Sequence, residues 1–185
     1  VLPITVGRDK SIKAVNDAYK ADKLIGVVSQ KDANIEEPVA TDLCSVGTVA
    51  KIIKLIKMPD GGTTIIIQGK KRFELVSMLT DDPYFKASIK LFEEDASPEG
   101  DDFAAIVSSI KDLATQIIQL SPNLPTEAGI ILKSIENPSF LINFVSSNLN
   151  SDISEKQKLL EINDINNRAE SLILILQKEL QFAEL

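Results

Sequence analysis

Val46-Gly47-Thr48-Val49-Ala50-Lys51-Ile52-Ile53-Lys54-Leu55-Ile56-Lys57-Met58 runs into Pro59-Asp60-Gly61-Gly62 and continues as Thr63-Thr64-Ile65-Ile66-Ile67-Gln68-Gly69-Lys70-Lys71-Arg72-Phe73-Glu74-Leu75-Val76. This stretch decides the fold of the first half of the chain. Both arms are rich in β-branched residues, which suit a pleated surface. Between them lies a proline, an aspartate and two glycines, a strong turn signal. The two arms are therefore expected to form one long hairpin. Gly47 predicts a bulge or a close backbone approach, and Gly69 a bend in the ribbon.

On the N-terminal side, Val1 to Val6 is short and β-prone and stops at Gly7. Arg8 to about Ala21 reads as a helix, with Ile12, Val15, Ala18 and Tyr19 on one face. Leu24 to Val28 is a buried strand by composition, and Lys31 to Thr41 a polar loop. On the C-terminal side, Tyr84 to Phe92 alternates, with Phe85, Ala87, Ile89 and Leu91 on one face. That pattern predicts a half-buried strand. Glu93 to Asp102 is acidic and turn-rich and reads as a boundary.

Beyond the boundary the period becomes helical. Phe103, Ile106, Val107, Ile110, Leu113, Ala114, Ile117 and Ile118 form one stripe, ended by Ser121-Pro122-Asn123-Leu124-Pro125. Further helices are expected over Thr126–Ile135 and Pro138–Leu149, from Ser154 onward, where Ser154 and Gln157 have capping-box spacing, and from Asp164 to Leu185. In the last of these, Ile165, Ala169, Leu172, Ile173, Leu176 and Leu180 are expected inward. None of these helices has enough neighbours within itself to be stable alone, so a packed bundle follows.

Composition narrows the chemistry. The 185 residues include no His, which removes His-based triads, His metal sites and His switches. The single cysteine, Cys44, allows no internal disulfide and no Cys cluster, and reads as a small buried hydrophobe of a protein in a reducing compartment. The net charge of −7 argues against nucleic acid as a partner, because nonspecific affinity comes from basic groups on phosphates. The acidity is concentrated late: residues 1–100 carry 14 basic and 15 acidic side chains, the remainder 6 and 12. The longest apolar run, Leu172 to Leu176, is far short of a membrane span. The chain opens on Val1 and its last helix lacks a stop signal, which predicts a piece of a longer protein.

Catalytic motifs are weak. Gly62 to Gly69-Lys70-Lys71 has the wrong spacing for a phosphate loop and lacks its Ser or Thr. Asp81-Asp82, Glu93-Glu94 and Asp101-Asp102 are adjacent turn acids, unlike carboxyls that face each other across a pocket. No motif marks a Ser-Lys pair. Lys51, Lys54, Lys57, Lys70, Lys71 and Arg72 read as a charged edge that discourages strand-to-strand association. Phe73, Tyr84, Phe85 and Phe92 read as core. Gly7-Arg8-Asp9-Lys10-Ser11 is denser in charge than a core requires and opens a helix, where backbone N–H groups point outward.

Several segments together resemble one family. They are Val6 to Ile12, Ser29-Gln30-Lys31-Asp32, Val46 to Ile52, Met58-Pro59-Asp60-Gly61, Gln68 to Phe73 and Tyr84-Phe85-Lys86-Ala87, followed by Ser134 to Pro138, Lys158-Leu159-Leu160-Glu161 and Arg168. In this order and spacing they are similar to the amino-terminal domain of Lon, the ATP-dependent bacterial protease. The resemblance implies an α+β fold: a β-rich, PUA-like pseudo-barrel lobe with one helix over residues 1–93, a linker at 94–102, and an α-helical bundle lobe at 103–185 that stops before ATPase and protease modules. It implies a non-catalytic domain that recognises unfolded or tagged protein substrates and supports a homohexamer. The parent, a cytoplasmic serine protease using ATP and magnesium with a Ser-Lys dyad, would remove misfolded, damaged and short-lived regulatory proteins. No catalytic, cofactor-binding or metal-binding residue carries over. A contact role carries over to Arg8, Asp9, Lys10 and Lys13 alone. A stand-alone interaction or ligand-binding module of the same fold is the alternative.

Overall fold

The structure is a computed structural model that describes residues 1–93, 98–125 and 127–185. The chain divides into two compact units, Val1–Glu93 and Glu94–Leu185.

The first unit is a five-stranded antiparallel sheet with one α-helix. Its elements are β1 (Leu2–Val6), α1 (Asp9–Lys20), β2 (Leu24–Val27), β3 (Val46–Lys57), β4 (Thr63–Thr80) and β5 (Lys86–Leu91). A single 3-10 turn, Ala40–Asp42, interrupts the expected polar loop. The strands run β1-β4-β3-β2, and β5 joins the far half of β4. The hairpin turns where its sequence requires: Gly61 N–H donates to the Met58 carbonyl, Gly61 takes a left-handed φ of 91°, and Asp60 accepts from Gly62 N–H. Only glycine adopts that φ freely.

β4 is longer than its apolar pattern suggested, because its two halves have different partners. Thr63 to Ile67 lies between β1 and β3, and Phe73 to Thr80 pairs with β5. Two irregularities in the β3–β4 ladder and two in the β4–β5 ladder bend the ribbon. One falls where Val49 faces Lys71 and Ala50 faces Gly69, the expected site of a bend.

Helix α1 covers one part of the sheet. Val6, Val15, Ala50, Ile52, Ile65 and Ile67 form the buried core, with Ile12, Ala18 and Tyr19 of the predicted helix face packed on it. Gly47 is a close approach. A Cβ there would stand 2.4 Å from the Val27 carbonyl oxygen and 2.8 Å from the Phe73 ring. Phe73 is 2% exposed against Gly26 and Gly47, so two glycines make the slot for one aromatic ring.

Five expectations for this unit need correction. β2 is not a buried strand, since Leu24 is 43% exposed and none of its residues is enclosed. Of the four aromatic residues read as core, only Phe73 is buried, and Tyr84, Phe85 and Phe92 are half-buried. Arg72 does not join the charged edge: it is buried, with its guanidinium 4.9 Å from the Phe92 ring centre. Cys44 is half-buried, not enclosed. The β5 alternation does not mark core, since Ile89 is 40% and Leu91 46% exposed. The core packed beneath α1 draws on β1, β3 and the first half of β4 and includes no residue of β5.

The second unit is helical: α2 (Asp101–Leu120), α3 (Glu127–Ser134), α4 (Pro138–Ser147), α5 (Ile153–Glu161) and α6 (Ile165–Glu184). Helix α2 begins inside the expected linker, with Asp101 and Asp102 in its first turn, where carboxylates complement the helix dipole. Residues 94–97 of that linker, Glu94 of the acid pair and Thr126 of the next predicted helix lie outside the described residues. The α2 stripe and α6 form the centre of the bundle, with Phe103, Ile110, Leu141, Ile142, Ala169 and Leu172 buried together. Asp164 caps α6 by accepting from Asn166 N–H, as its position predicts. The helix expected to start at Ser154 starts a residue earlier, because the Asp152 carbonyl accepts from both Glu155 and Lys156.

Arg168 is 2% exposed. It donates from Nε and Nη2 to the Ile162 carbonyl at 3.0 and 2.8 Å, and to Asn143 Oδ1. The cation therefore closes the carbonyl end of α5, where a positive charge is favoured.

Candidate functional site

The part of the sheet outside the core shared with α1 forms the candidate site. A shallow groove of about 1750 Å³ runs between α1, β2, the loop after it and β5. Phe73, Leu75, Met78, Leu79, Ile89 and Leu91 line it. Leu79 is 68% exposed, and with Ile89 and Leu91 it forms an apolar surface that nothing within this unit covers. Apolar side chains gathered at an open groove mark an interaction surface more often than scattered ones do.

The N-terminus of α1 supplies one wall. Arg8 is the N-cap residue, in extended conformation and without a side-chain cap. Its Nη2 donates instead to the Ile35 carbonyl at 3.2 Å, across 27 residues of chain. Gln30 Nε2 donates to the same carbonyl at 2.9 Å, so the loop is tied at one point from two sides. Lys10 Nζ donates to the Asp81 carbonyl at 3.0 Å and stands 6.0 Å from the Phe85 ring centre. Two cations of one helical turn thus fasten the two segments that flank the groove mouth.

A second fastening lies about two turns further along α1. Tyr84 Oη donates to Asp17 Oδ2 at 3.0 Å, and Lys13 Nζ lies 3.8 Å from the same oxygen. The bond to Asp17 holds the Tyr84 phenol above its ordinary pKa of 10.0, with desolvation and the Asp17 charge adding to it. Lys86 stands 5.6 Å from the Tyr84 ring centre.

Of the four charged residues singled out from the sequence, Arg8, Asp9 and Lys10 line the groove. Lys13 does not; it faces Asp17 on the flank of α1. The apolar groove residues themselves were missed. Their signal was present in the Phe85–Leu91 alternation, but a strand that faces a groove and one that faces a core alternate alike.

Among the described residues no group of three or more His, Cys, Asp or Glu side chains could hold a metal ion. No described helix is long and apolar enough to cross a membrane.

An apolar groove rimmed by charge and open within its own unit, on a curled antiparallel sheet linked to a helical unit, defines a binding module of α+β architecture. Comparison with known proteins gives its family. Residues 1–178 match the family described as the ATP-dependent protease La (LON) substrate-binding domain, and the chain belongs to that family. It is 51% identical over its whole length to a Lon protease of Flavobacterium johnsoniae and 43% identical to one of Cytophaga hutchinsonii. It spans 23% of the length of each of these relatives. Its fold is similar to that of the N-terminal domain of a Mycobacterium avium complex Lon protease, with a TM-score of 0.74 over 95% of this chain and 90% of that one at 18% identity. A Lon N-terminal domain protein from Xanthomonas campestris matches with a TM-score of 0.65 over 94% and 88% of the two chains. The expected α+β architecture is the one observed.

Proposed function

We propose that this chain holds protein substrates for a longer ATP-dependent serine protease, and that the β-lobe groove is where it holds them. The observation that carries this reading is the exposure of Leu79, Ile89 and Leu91 along one groove. Exposed apolar side chains are what unfolded proteins have in common, so an apolar surface selects non-native chains without fixing a sequence. Arg8 and Lys10 act by holding the groove's flanking segments and by offering charge at its mouth, beside Asp9. Lys13 contributes through Asp17 and Tyr84.

The parent protein works in the cytoplasm as a homohexamer that uses ATP and magnesium, with its Ser-Lys dyad and nucleotide site outside these 185 residues. Membership of the protease family and the 23% share of its relatives' length support this. Six copies around one entrance raise the effective concentration of weak sites, so each site need not be strong. The residues are divided between a client-holding β lobe at 1–93 and a helical lobe from 103 that leads to the remaining modules.

Titration of a reduced and alkylated, permanently unfolded protein into the chain tests the reading. Binding in the micromolar range or weaker is expected, about −8 kcal/mol or less favourable. Binding to the native form of the same protein with equal affinity would refute it.

A further inference from the structure

The groove walls are sheet edges as well as apolar surfaces. Among the described residues, β2 pairs with β3 alone and β5 with β4 alone, and residues of both strands line the same groove. The direction of the free backbone groups on β5 follows from its register. Phe92 N–H donates to the Arg72 carbonyl at 3.1 Å, while Leu91 stands opposite Phe73 and Lys90 opposite Glu74. An antiparallel ladder alternates bonded and non-bonded pairs. Lys90 therefore directs its N–H and C=O to β4, and Ile89 and Leu91 direct theirs to the free side. Ile89 and Leu91 are also the exposed apolar side chains of the strand. Backbone groups turned away from β4 and exposed apolar side chains thus repeat together every second residue, which is the period of an extended peptide.

The charges around the groove specify the peptide further. In the groove itself Arg8 and Lys10 stand with Asp9, Glu36, Glu37 and Asp81. An adjoining hollow under α1 adds Lys86 with Asp17 and Asp22. Acids outnumber bases in both, and the two groove cations are already directed at the Ile35 and Asp81 carbonyls. The surroundings complement a positively charged segment.

We infer that the groove takes an extended apolar segment flanked by Lys or Arg, which binds as an added strand on the free edge of β5. This rests on the client-holding reading above and adds its mode of recognition. Main-chain hydrogen bonds give affinity that is independent of sequence, the apolar side chains seat beside Ile89 and Leu91, and the flanking cations meet the acidic rim.

The probe is a fluorescent peptide of alternating leucine and threonine with two lysines at each end, followed by anisotropy against the 185-residue chain. Two derivatives carry N-methyl groups on alternate peptide bonds, one set in each register, and a third replaces the lysines by glutamates. An added strand uses the N–H groups of one register only. One N-methyl register should therefore lose at least tenfold in affinity while the other stays within about twofold of the parent. The glutamate-flanked peptide should bind at least fivefold more weakly at low salt. Equal behaviour of the two registers, or equal binding of the lysine- and glutamate-flanked peptides, overturns the inference. If Leu79→Ser/Ile89→Ser/Leu91→Ser weakens an unfolded protein but both N-methyl registers bind alike, the client-holding reading survives and strand addition falls. If neither peptide nor unfolded protein binds, both fall.

Discussion

Replacing Gly47 by alanine tests how the groove floor is built. Phe73 lines the groove and is 2% exposed, in a slot formed by Gly26 and Gly47. A Cβ at Gly47 would lie 2.4 Å from the Val27 carbonyl oxygen, a backbone atom that cannot swing aside, and 2.8 Å from the Phe73 ring. The same addition at Gly26 meets only the ring at 3.3 Å, and at Gly69 only Thr48 Cγ2 at 3.4 Å. Overpacking of a filled site costs about 1–3 kcal/mol, and Gly47→Ala belongs at the upper end because backbone must move. Gly26→Ala should cost roughly 1 kcal/mol or less. Gly69→Ala should be neutral or stabilising by up to about 1 kcal/mol, through the lower entropy of the unfolded chain. Because the chain divides into two compact units, β3 and β4 amide hydrogen exchange is the assay that reads this unit by itself. About 2–3 kcal/mol corresponds to exchange of order 30- to 150-fold faster for Gly47→Ala. If Gly47→Ala and Gly69→Ala exchange at equal rates, the slot is not a tight one and the packing argument is wrong.

Arg168→Ala should destabilise the helical unit by about 2–4 kcal/mol, because it leaves the Ile162 carbonyl without two charge-assisted bonds, and Arg168→Lys should restore only part of this; the urea midpoint of α-helical circular dichroism reads both. Tyr84→Phe should speed exchange at residues 81–86 while leaving β1 unchanged. The tie between Tyr84 and Asp17 also has a pH signature. The phenol's folded pKa lies above its unfolded value of 10.0, so the stability it adds is complete below pH 10 and is lost as the pH rises through the folded value; protection at residues 81–86 should be flat from pH 6 to 9 and fall beyond 10. Leu79→Ser/Ile89→Ser/Leu91→Ser should cost the β lobe about 2–4 kcal/mol, since Ile89 and Leu91 keep more than half of their surface out of water, and should weaken unfolded-protein binding at least fivefold by anisotropy under conditions where β4 amide exchange shows the sheet still folded.

Most of the fold was legible because its signals are local. The Pro59–Gly62 turn, the apolar face of α1, the α2 stripe and the Asp164 cap each depend on residues a few positions apart. What escaped depends on distant partners. Arg72 looked like a surface base until β5 brought Phe92 over it. Arg168 looked polar until the end of α5 supplied carbonyls for it. The candidate site was half legible. Arg8, Asp9 and Lys10 stood out by charge density, whereas the apolar wall at Leu79, Ile89 and Leu91 was indistinguishable from core. Whether an alternating strand faces a helix or a groove is settled by which part of the sheet α1 covers, and the strand's own residues do not carry that information.

The two units offer rival apolar surfaces, since Ile130 and Phe140 of the helical unit are exposed as well as the β-lobe groove. Photo-crosslinking of a permanently unfolded protein, carrying photoreactive leucine, to this chain, with the adducts located by peptide mass spectrometry, decides between them. Adducts are expected on Leu79, on residues 86–91 and beside Arg8. Adducts confined to α3 and α4 would contradict it.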